Sequence, residues 1–321
     1  MKSSQIRRPP APKPYTLIDL PSDTQPERRK PAAHDTFTDG LLTGRLHIEI
    51  EALSPVHIAT GLLKLTNDRH RPLLRELFRV DGVPVIPGSS LKGCVRSIVE
   101  AISRSCVRVT KAEELPSDKK GCDDKGRQLC VACRIFGAQD VQAPVRFGDL
   151  HLVEDPAVAV EIAEIPQLYK PRSAMKIYHR DGKVRGRKFF MHGSQQARGD
   201  SPIEVCRAGS HFRGIIDFFN LSPDQLGLLL VGLGQHHDYP FPVKLGGAKP
   251  ACYGSARIGV TELRLADPRA RYLDWDAAED RCADPVEFLS VAQKLILKPQ
   301  LQALAETLRW PHVRACPSGN Y

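Results

Sequence analysis

The chain has no uninterrupted apolar stretch as long as a membrane span, which needs about 18 residues. Its first residues, MKSSQIRRPPAPKPYTLIDLPSD, also lack the apolar centre of a secretory signal peptide. We therefore expect a soluble, cytoplasmic protein with no membrane partner. Cysteines number nine, and an odd count in a chain of 321 residues argues against a disulfide framework and for reduced thiols.

Positive charge is in excess, with a formal net charge of +9, and this favours a polyanionic partner. The excess is concentrated in KPRSAMKIYHRDGKVRGRK, residues 170–188, where Asp181 is the single acid. A solvated hairpin would explain the charge alone. Aromatic residues flank or interrupt the cations, however, at Tyr169, Tyr178, Phe189 and Phe190. Cations mixed with aromatics are typical of single-stranded RNA recognition.

The first forty residues mix cations, acids and many prolines. This composition predicts a disordered extension over residues 1–40. Nucleic-acid contact by this segment is a second-choice alternative.

Hydrophobic periodicity predicts a strand, a helix, two strands, a helix and a strand, in that order. The six segments are 44–53, 87–105, 144–154, 212–221, 222–234 and 254–265. Ser89 or Ser90 is expected to cap the first helix, and Ser222 with Gln225 to form a capping box on the second. This order is the split βαβ pattern, so we expect an α+β fold with a ferredoxin-like, RRM-like core.

Such a core is much shorter than the chain, so large insertions are expected. The predicted domain covers residues 41–266, with insertions at 54–88, 107–143 and 155–210. A C-terminal helical extension is predicted over residues 267–321, with a helix beginning near Asp284 and Pro285.

Four cysteines have spacing suited to zinc. Cys130 and Cys133 form a C-x-x-C pair, Cys122 precedes them by eight residues, and Cys106 lies at the expected end of the first helix. The polar loop between them has too few apolar residues to fold without a metal. A histidine as fourth ligand in place of Cys106, or no metal, are the alternatives; a redox pair is disfavoured. No chemistry is assigned to Cys94, Cys206, Cys252, Cys282 and Cys316.

Two glycine-containing segments are candidates for phosphate contact. IPGSSLKGCVRS, residues 86–97, joins a helix start to Lys92 and Arg96, although ordinary capping explains it equally well. KLGGAKPACYGSARI, residues 244–258, carries Lys244 and Lys249 and could follow an RNA backbone. It lacks the Walker pattern, so nucleotide binding is not expected.

Five segments taken in order resemble the RAMP superfamily of CRISPR proteins. They are IPGSSLKGCVRS, CVACRIFG, VRFGDL, LSPDQLGLLLVGLG and KLGGAKPACYGSARI. Over residues 41–266 the chain is most similar to the backbone subunits of type III effector complexes, the Cas seven family. GRKFFMHG, residues 186–193, resembles the D subtype and the related, reduced type VII systems.

The resemblance implies a subunit that stacks with further copies of itself along a guide crRNA, inserts a hairpin thumb between bases, and presents the guide to target RNA beside other CRISPR effector subunits. It places the thumb, or a neighbour of it, at residues 170–188, and a structural zinc ion on the four cysteines. The candidate RNA-binding residues are Ser89, Ser90, Lys92, Arg96, Arg134, Lys170, Arg172, Lys176, Arg185, Arg187, Lys188, Lys244 and Lys249.

Catalysis is where the chain departs from its cleaving relatives, which carry an aspartate in the loop before the PGSS turn. His70 takes that place here, and Asp68 lies two residues earlier. One interpretation is a magnesium-dependent endoribonuclease for target RNA that uses Asp68. We favour a scaffold that does not cut, because histidine is a poor magnesium ligand although it can act as a base. A zinc-braced RNA-binding protein outside CRISPR is a third interpretation.

Overall fold

The structure of the protein is a computed structural model that describes residues 14–21, 25–67, 72–107, 114–122, 128–169, 176–274, 280–312 and 314–316. The strands are β1 (Tyr15–Asp19), β2 (Leu42–Ala52), β3 (Ala59–Leu65), β4 (Leu73–Leu77), β5 (Arg79–Val80), β6 (Val83–Ile86), β7 (Val145–Phe147), β8 (Leu150–Leu152), β9 (Val160–Ile165), β10 (His179–Arg180), β11 (Lys183–Val184), β12 (Gly186–Phe190), β13 (Ser201–Cys206), β14 (His211–Leu221), β15 (Val243–Lys244), β16 (Ser255–Leu265) and β17 (Arg281–Ala283). The helices are α1 (Gly88–Ile102), α2 (Val131–Phe136), α3 (Pro156–Ala159), α4 (Pro223–Gly232), α5 (Pro268–Leu273), α6 (Val286–Val291) and α7 (Lys298–Thr307).

The central sheet is antiparallel and places β2 between β16 and β14, with β7 and β8 on the far side of β14. The four predicted strands therefore lie across the sheet in the order fourth (β16), first (β2), third (β14) and second (β7 and β8). Helices α1 and α4 follow the first and third of these strands along the chain. The predicted α+β fold with a ferredoxin-like core is therefore confirmed.

Alternation along the central strands decides which face of the sheet is covered. In β2, Leu46, Ile48 and Ile50 are buried, and the residues between them are charged or polar and partly exposed. Successive side chains of a strand point to opposite faces, so one face is apolar and packs on the helices while the other stays open. Helices α4 and α1 pack in close contact at Gly232. A Cβ atom at this position would lie only 2.7 Å from the Val99 side chain of α1, so a larger residue would not fit without a shift.

Helix ends differ in how far local sequence determines them. Helix α4 begins as predicted, with Pro223 in its first turn and the Ser222 N–H donating to Gln225 Oε1 at 3.1 Å. The predicted cap of α1 is wrong. Its N-cap is Pro87, and the Gly88 N–H instead donates to Asp149 Oδ1 at 2.8 Å, from the turn between β7 and β8.

Part of the expected disordered extension is ordered. Residues 15–19 form β1, which pairs antiparallel with β12 from Tyr15 opposite Phe190 to Asp19 opposite Gly186. The expectation of disorder is thus wrong for this strand, because a distant segment supplies the partner that composition cannot show. Residues 1–13 and 22–24 lie outside the described part of the chain.

Two of the predicted insertions meet in a second sheet. Strands β3 and β4 come from residues 54–88, β9 and β13 come from residues 155–210, and the order is β3-β4-β13-β9. Strands β10 and β11 form a separate short hairpin whose turn, Asp181–Gly182, has positive φ at both positions. Such a turn suits a two-residue hairpin, which agrees with the hairpin predicted in the basic segment.

The cysteines include one disulfide bond, between Cys252 and Cys316. The expectation that all thiols are reduced is wrong for this pair, because the fold brings together two residues separated by 64 positions in sequence. No helix in the described residues is both long enough and apolar enough to span a membrane.

Candidate metal centre and nucleic-acid interface

Four buried cysteines come together in one cluster. The sulfur atoms of Cys106, Cys122, Cys130 and Cys133 all lie within 4.8 Å of one another. Cys106 Sγ is 3.6 Å from both Cys130 Sγ and Cys133 Sγ. A zinc ion with Zn–S bonds of about 2.3 Å holds tetrahedral sulfurs about 3.8 Å apart. The cluster therefore fits a zinc ion with all four cysteines as ligands.

Local backbone positions these thiols. Cys130 is the N-cap of α2, and Cys133 follows inside its first turn. Cys106 lies beyond α1, which ends at Ile102, so the expectation that Cys106 sits at the end of that helix is wrong. The Cys130 N–H donates to Cys122 Sγ at 3.2 Å, and the Cys106 N–H donates to Cys130 Sγ at 3.5 Å. Amide donors of this kind stabilise thiolates over thiols.

The electrostatics of the cluster also favour a cation. Hydrogen bonds between Cys106 and Cys122 are the largest cause of a raised pKa for the Cys106 thiol and a lowered pKa for the Cys122 thiol. Four thiolates this close together would repel one another strongly unless a cation compensates them. Two arginines lie against it: Arg96 Nη2 donates to Cys133 Sγ at 3.3 Å, and a hydrogen bond to Cys122 raises the pKa of Arg28.

Arg96 has further protein partners. Its Nε donates to Glu100 Oε1 at 2.6 Å, and its Nη1 donates to the Gly137 carbonyl at 3.0 Å. Arg187 of β12 forms an ion pair with the other oxygen of Glu100, whose side chain is only 1 % exposed. Both arginines were candidates for RNA contact. In the structure their guanidinium groups instead contact other residues of the chain.

A cleft of about 530 Å³ joins three segments that the sequence singled out. Helix α1 supplies Ser90 and Gly93, the glycine-rich loop supplies Gly246, Gly247 and Lys249, and β12 supplies aromatic and cationic side chains. The further lining residues are Ile58, Ala59, Cys94, Ser97, Ile98, Lys188, Phe189, Phe190, Lys244, Leu245 and Leu308.

Aromatic rings position one cation of the cleft. Lys188 Nζ lies 3.9 Å from the centre of the Tyr15 ring and 4.7 Å from that of Phe190. The Tyr15 hydroxyl is 3.1 Å from that of Tyr178. Strand β1 thus fixes the part of the basic segment that faces the cleft.

Lys244 lines the cleft but is buried. Its Nζ donates to the Tyr253 carbonyl at 2.7 Å and to Ser255 Oγ at 3.2 Å. Burial, with a smaller contribution from Lys249, lowers the pKa of Lys244 from 10.5 to about 7. Lys249 is half-exposed, which makes it the more accessible cation of the loop.

The other candidate RNA-binding residues are dispersed. Ser89 is exposed in the first turn of α1, and Lys92 is half-buried, with a pKa lowered by burial and then by Arg96. Arg185 pairs with Asp19 at 3.0 Å. Arg134 faces a different cavity, shared with Glu27 and Asp224, and burial lowers its pKa.

Several candidates cannot be placed. Asp68, His70, Lys170 and Arg172 lie outside the described residues, and Lys176 is described by its backbone alone. The catalytic residues of the enzyme interpretation are both in this group.

Sequence reasoning missed two residues that matter at the cluster. Glu100 had a usable signal, since it follows Arg96 by four positions and so shares its helix face. Arg28 had none, because the bridge between Arg29 and Leu129 brings its segment to the cysteines from far away in sequence.

One comparison with known proteins gives a match. A sequence model of the RAMP superfamily matches residues 49–234, which is more than half of the chain. The matched stretch contains α1, the cysteine cluster, β12 and α4, and it ends before Lys244. Among curated proteins no significant match is found.

Proposed function

Because the chain belongs to the RAMP superfamily, we propose that it binds guide crRNA as the backbone subunit of a CRISPR effector complex. The superfamily is consistent with a CRISPR-associated RNA-binding subunit. The finer assignment is a Cas seven-like subunit of a type III, D-like, or type VII complex. Further copies of the chain, other effector subunits and the target RNA are its partners.

The observation that carries this proposal is the cleft between α1, the glycine-rich loop and β12. Lys188 and Lys249 supply positive charge to the cleft beside Gly246 and Gly247. Phe189 and Phe190 line the same cleft and are partly exposed, and aromatic side chains are the groups on which unpaired bases stack. Cations and aromatic side chains in one groove suit the backbone and bases of a single strand.

The protein then needs no sequence preference of its own. The guide reads the target by base pairing, and the protein holds the guide backbone. The four cysteines would hold a structural zinc ion that braces the insertion of residues 107–143 against α1. Magnesium belongs only to the enzyme alternative, which rests on Asp68.

The test is RNA affinity as a function of salt. We expect zinc-loaded protein to bind a 30-nucleotide single-stranded RNA, with affinity falling steeply as salt rises. Lys249→Ala should weaken binding about tenfold and reduce the salt slope by about one. The matched control is Lys298→Ala, on the exposed first turn of α7. Equal effects of the two substitutions, or salt-independent binding, would contradict the proposal.

The enzyme alternative has its own test. Asp68→Ala in the assembled complex should leave cleavage of complementary RNA unchanged. Loss of cleavage would instead establish the endoribonuclease.

A further inference from the structure

Three charged side chains connect the cysteine cluster to the wall of the cleft. Arg96 donates to Cys133 Sγ at 3.3 Å and to Glu100 at 2.6 Å, and Arg187 pairs with the second oxygen of Glu100. Arg96 and Glu100 lie on α1, and Arg187 lies on β12. The chain of contacts therefore starts at a candidate metal ligand and ends on a strand that lines the RNA cleft.

The connection is buried along its length. Side-chain exposure is 16 % for Arg96, 1 % for Glu100 and 11 % for Arg187. Burial and the nearby charge of Arg96 lower the pKa of Arg187 to about 10. Little water is present to screen these charges, so each depends on its neighbours for compensation.

A metal ion on the four cysteines fixes the position of Cys133 Sγ, which Arg96 contacts. Arg96 in turn shares the Glu100 carboxylate with Arg187, one guanidinium group on each of its oxygens. Without the metal, Cys133 is no longer held, so the Arg96 guanidinium that rests on it can shift. Such a shift moves the shared carboxylate and with it the contact that Glu100 makes to Arg187 on β12.

A displacement of Arg187 would also move Lys188, the next residue, which lines the cleft. Lys188 follows it directly and holds its ammonium over Tyr15, and Phe189 and Phe190 continue along the cleft wall. The opposite wall belongs to α1, where Ser90 and Ser97 line the cleft on the helix that carries Arg96 and Glu100. The two elements that form these walls, α1 and β12, therefore carry the three charged residues.

We propose that Arg96, Glu100 and Arg187 couple metal occupancy of the cysteine cluster to RNA affinity, with Arg96 and Arg187 as positioning residues. The inference rests on the proposed function. Coupling of binding free energies is reciprocal, so metal tightens RNA binding and RNA tightens metal binding by the same factor.

The experiment measures the rate at which zinc passes to a chromogenic chelator, with and without saturating single-stranded RNA. RNA should slow zinc release from the wild type about fivefold. Arg187→Met keeps most of the side-chain volume and leaves Arg96 paired with Glu100, so RNA should no longer change the rate. The control Arg207→Met removes an exposed arginine paired with Glu161 and should keep the wild-type ratio.

A second variant keeps the test informative if Arg187→Met fails to fold. Arg96→Lys keeps the charge but cannot bridge Cys133, Glu100 and Gly137 at once, and it should also lose the effect of RNA. Equal ratios in wild type and both variants, with normal RNA binding, would overturn the coupling alone. Absence of RNA binding by zinc-loaded wild type would overturn the proposed function and the coupling together.

Discussion

Lys244 is a lysine whose cost of burial depends on pH. At pH values below 7 the folded and unfolded chains both carry the protonated ammonium. Between pH 7 and 10.5 the folded chain releases this proton while the unfolded chain keeps it. Stability rises with pH wherever the unfolded state binds more protons. Lys244 should therefore make the free energy of unfolding increase across this window.

The expected slope from Lys244 is about 1.4 kcal/mol per pH unit. Lys244→Met should remove this component, as measured by urea unfolding at pH values from 6 to 10. Lys298→Met, on an exposed helix turn, should leave the slope unchanged. A wild-type slope in the Lys244→Met variant would show that the lysine keeps its proton in the folded state.

The cysteine cluster predicts one zinc ion per chain. Cys122→Ser should abolish stoichiometric zinc and lower the melting temperature, because structural zinc contributes about 10 kcal/mol or more of binding free energy to folding. Cys282 is exposed and outside the cluster, so Cys282→Ser should retain the metal. Metal analysis and thermal unfolding check both variants. Zinc retained by Cys122→Ser would show that Cys122 is not a ligand.

Residue spacing was enough to identify the four cysteines, since C-x-x-C and a third and fourth thiol nearby are local patterns. Their arginine partners were not predictable in the same way. Arg96 looked like a cation facing a phosphate because helical spacing gives the side of a helix but not what packs on that side. The cysteine insertion and Glu100 cover it.

At the scale of elements, the open face of the central sheet carries arginines that are already paired. Cross-strand partners are Arg45 with Asp217 at 2.7 Å, Arg213 with Glu49 at 2.6 Å, and Arg257 with Glu51 at 2.6 Å. A phosphate would have to compete with these carboxylates. This face is thus a poor polyanion site, although the open sheet face is where RRM domains stack bases.

The prediction is that arginines of the open face do not contribute to RNA affinity. Arg213→Ala and Arg257→Ala should each change the dissociation constant less than twofold, because each guanidinium is already paired with a carboxylate that a phosphate would have to displace. Lys249→Ala in the same titration gives the contrast. A tenfold loss in Arg213→Ala would place the RNA on the sheet instead of in the cleft.

Strong local periodicity made the six core elements predictable, and the capping box fixed the start of α4. The start of α1 was not predictable, because the Gly88 N–H donates to the side chain of Asp149, 61 residues away in sequence. The second sheet escaped prediction for a related reason. Its strands come from two separate insertions, and β4 pairs in parallel with β13, which no local pattern indicates.

At the scale of the whole molecule, the N-terminal segment supports one wall of the cleft. Strand β1 pairs with β12 along its full length, and Tyr15 lies under Lys188. Removal of β1 would leave one edge of β12 without its partner and would take away the ring nearest to the Lys188 ammonium.

Deletion of residues 1–20 should therefore weaken RNA binding about tenfold, beyond what lost charge explains, because a cation–π contact and a strand partner both disappear. The matched control is deletion of residues 1–13, which keeps β1 and should bind within about threefold of the full chain. Fluorescence anisotropy with labelled RNA separates the two. An equal loss of RNA affinity in both deletions would assign the effect to the cations before β1.

The disulfide between Cys252 and Cys316 ties the final residues of the described chain back to the glycine-rich loop. Helices α5, α6 and α7 all lie inside the covalent ring that this bond closes. A protease that nicks the backbone anywhere in that ring would produce two pieces still joined through sulfur. Only a reductant would then let the C-terminal piece diffuse away from the loop.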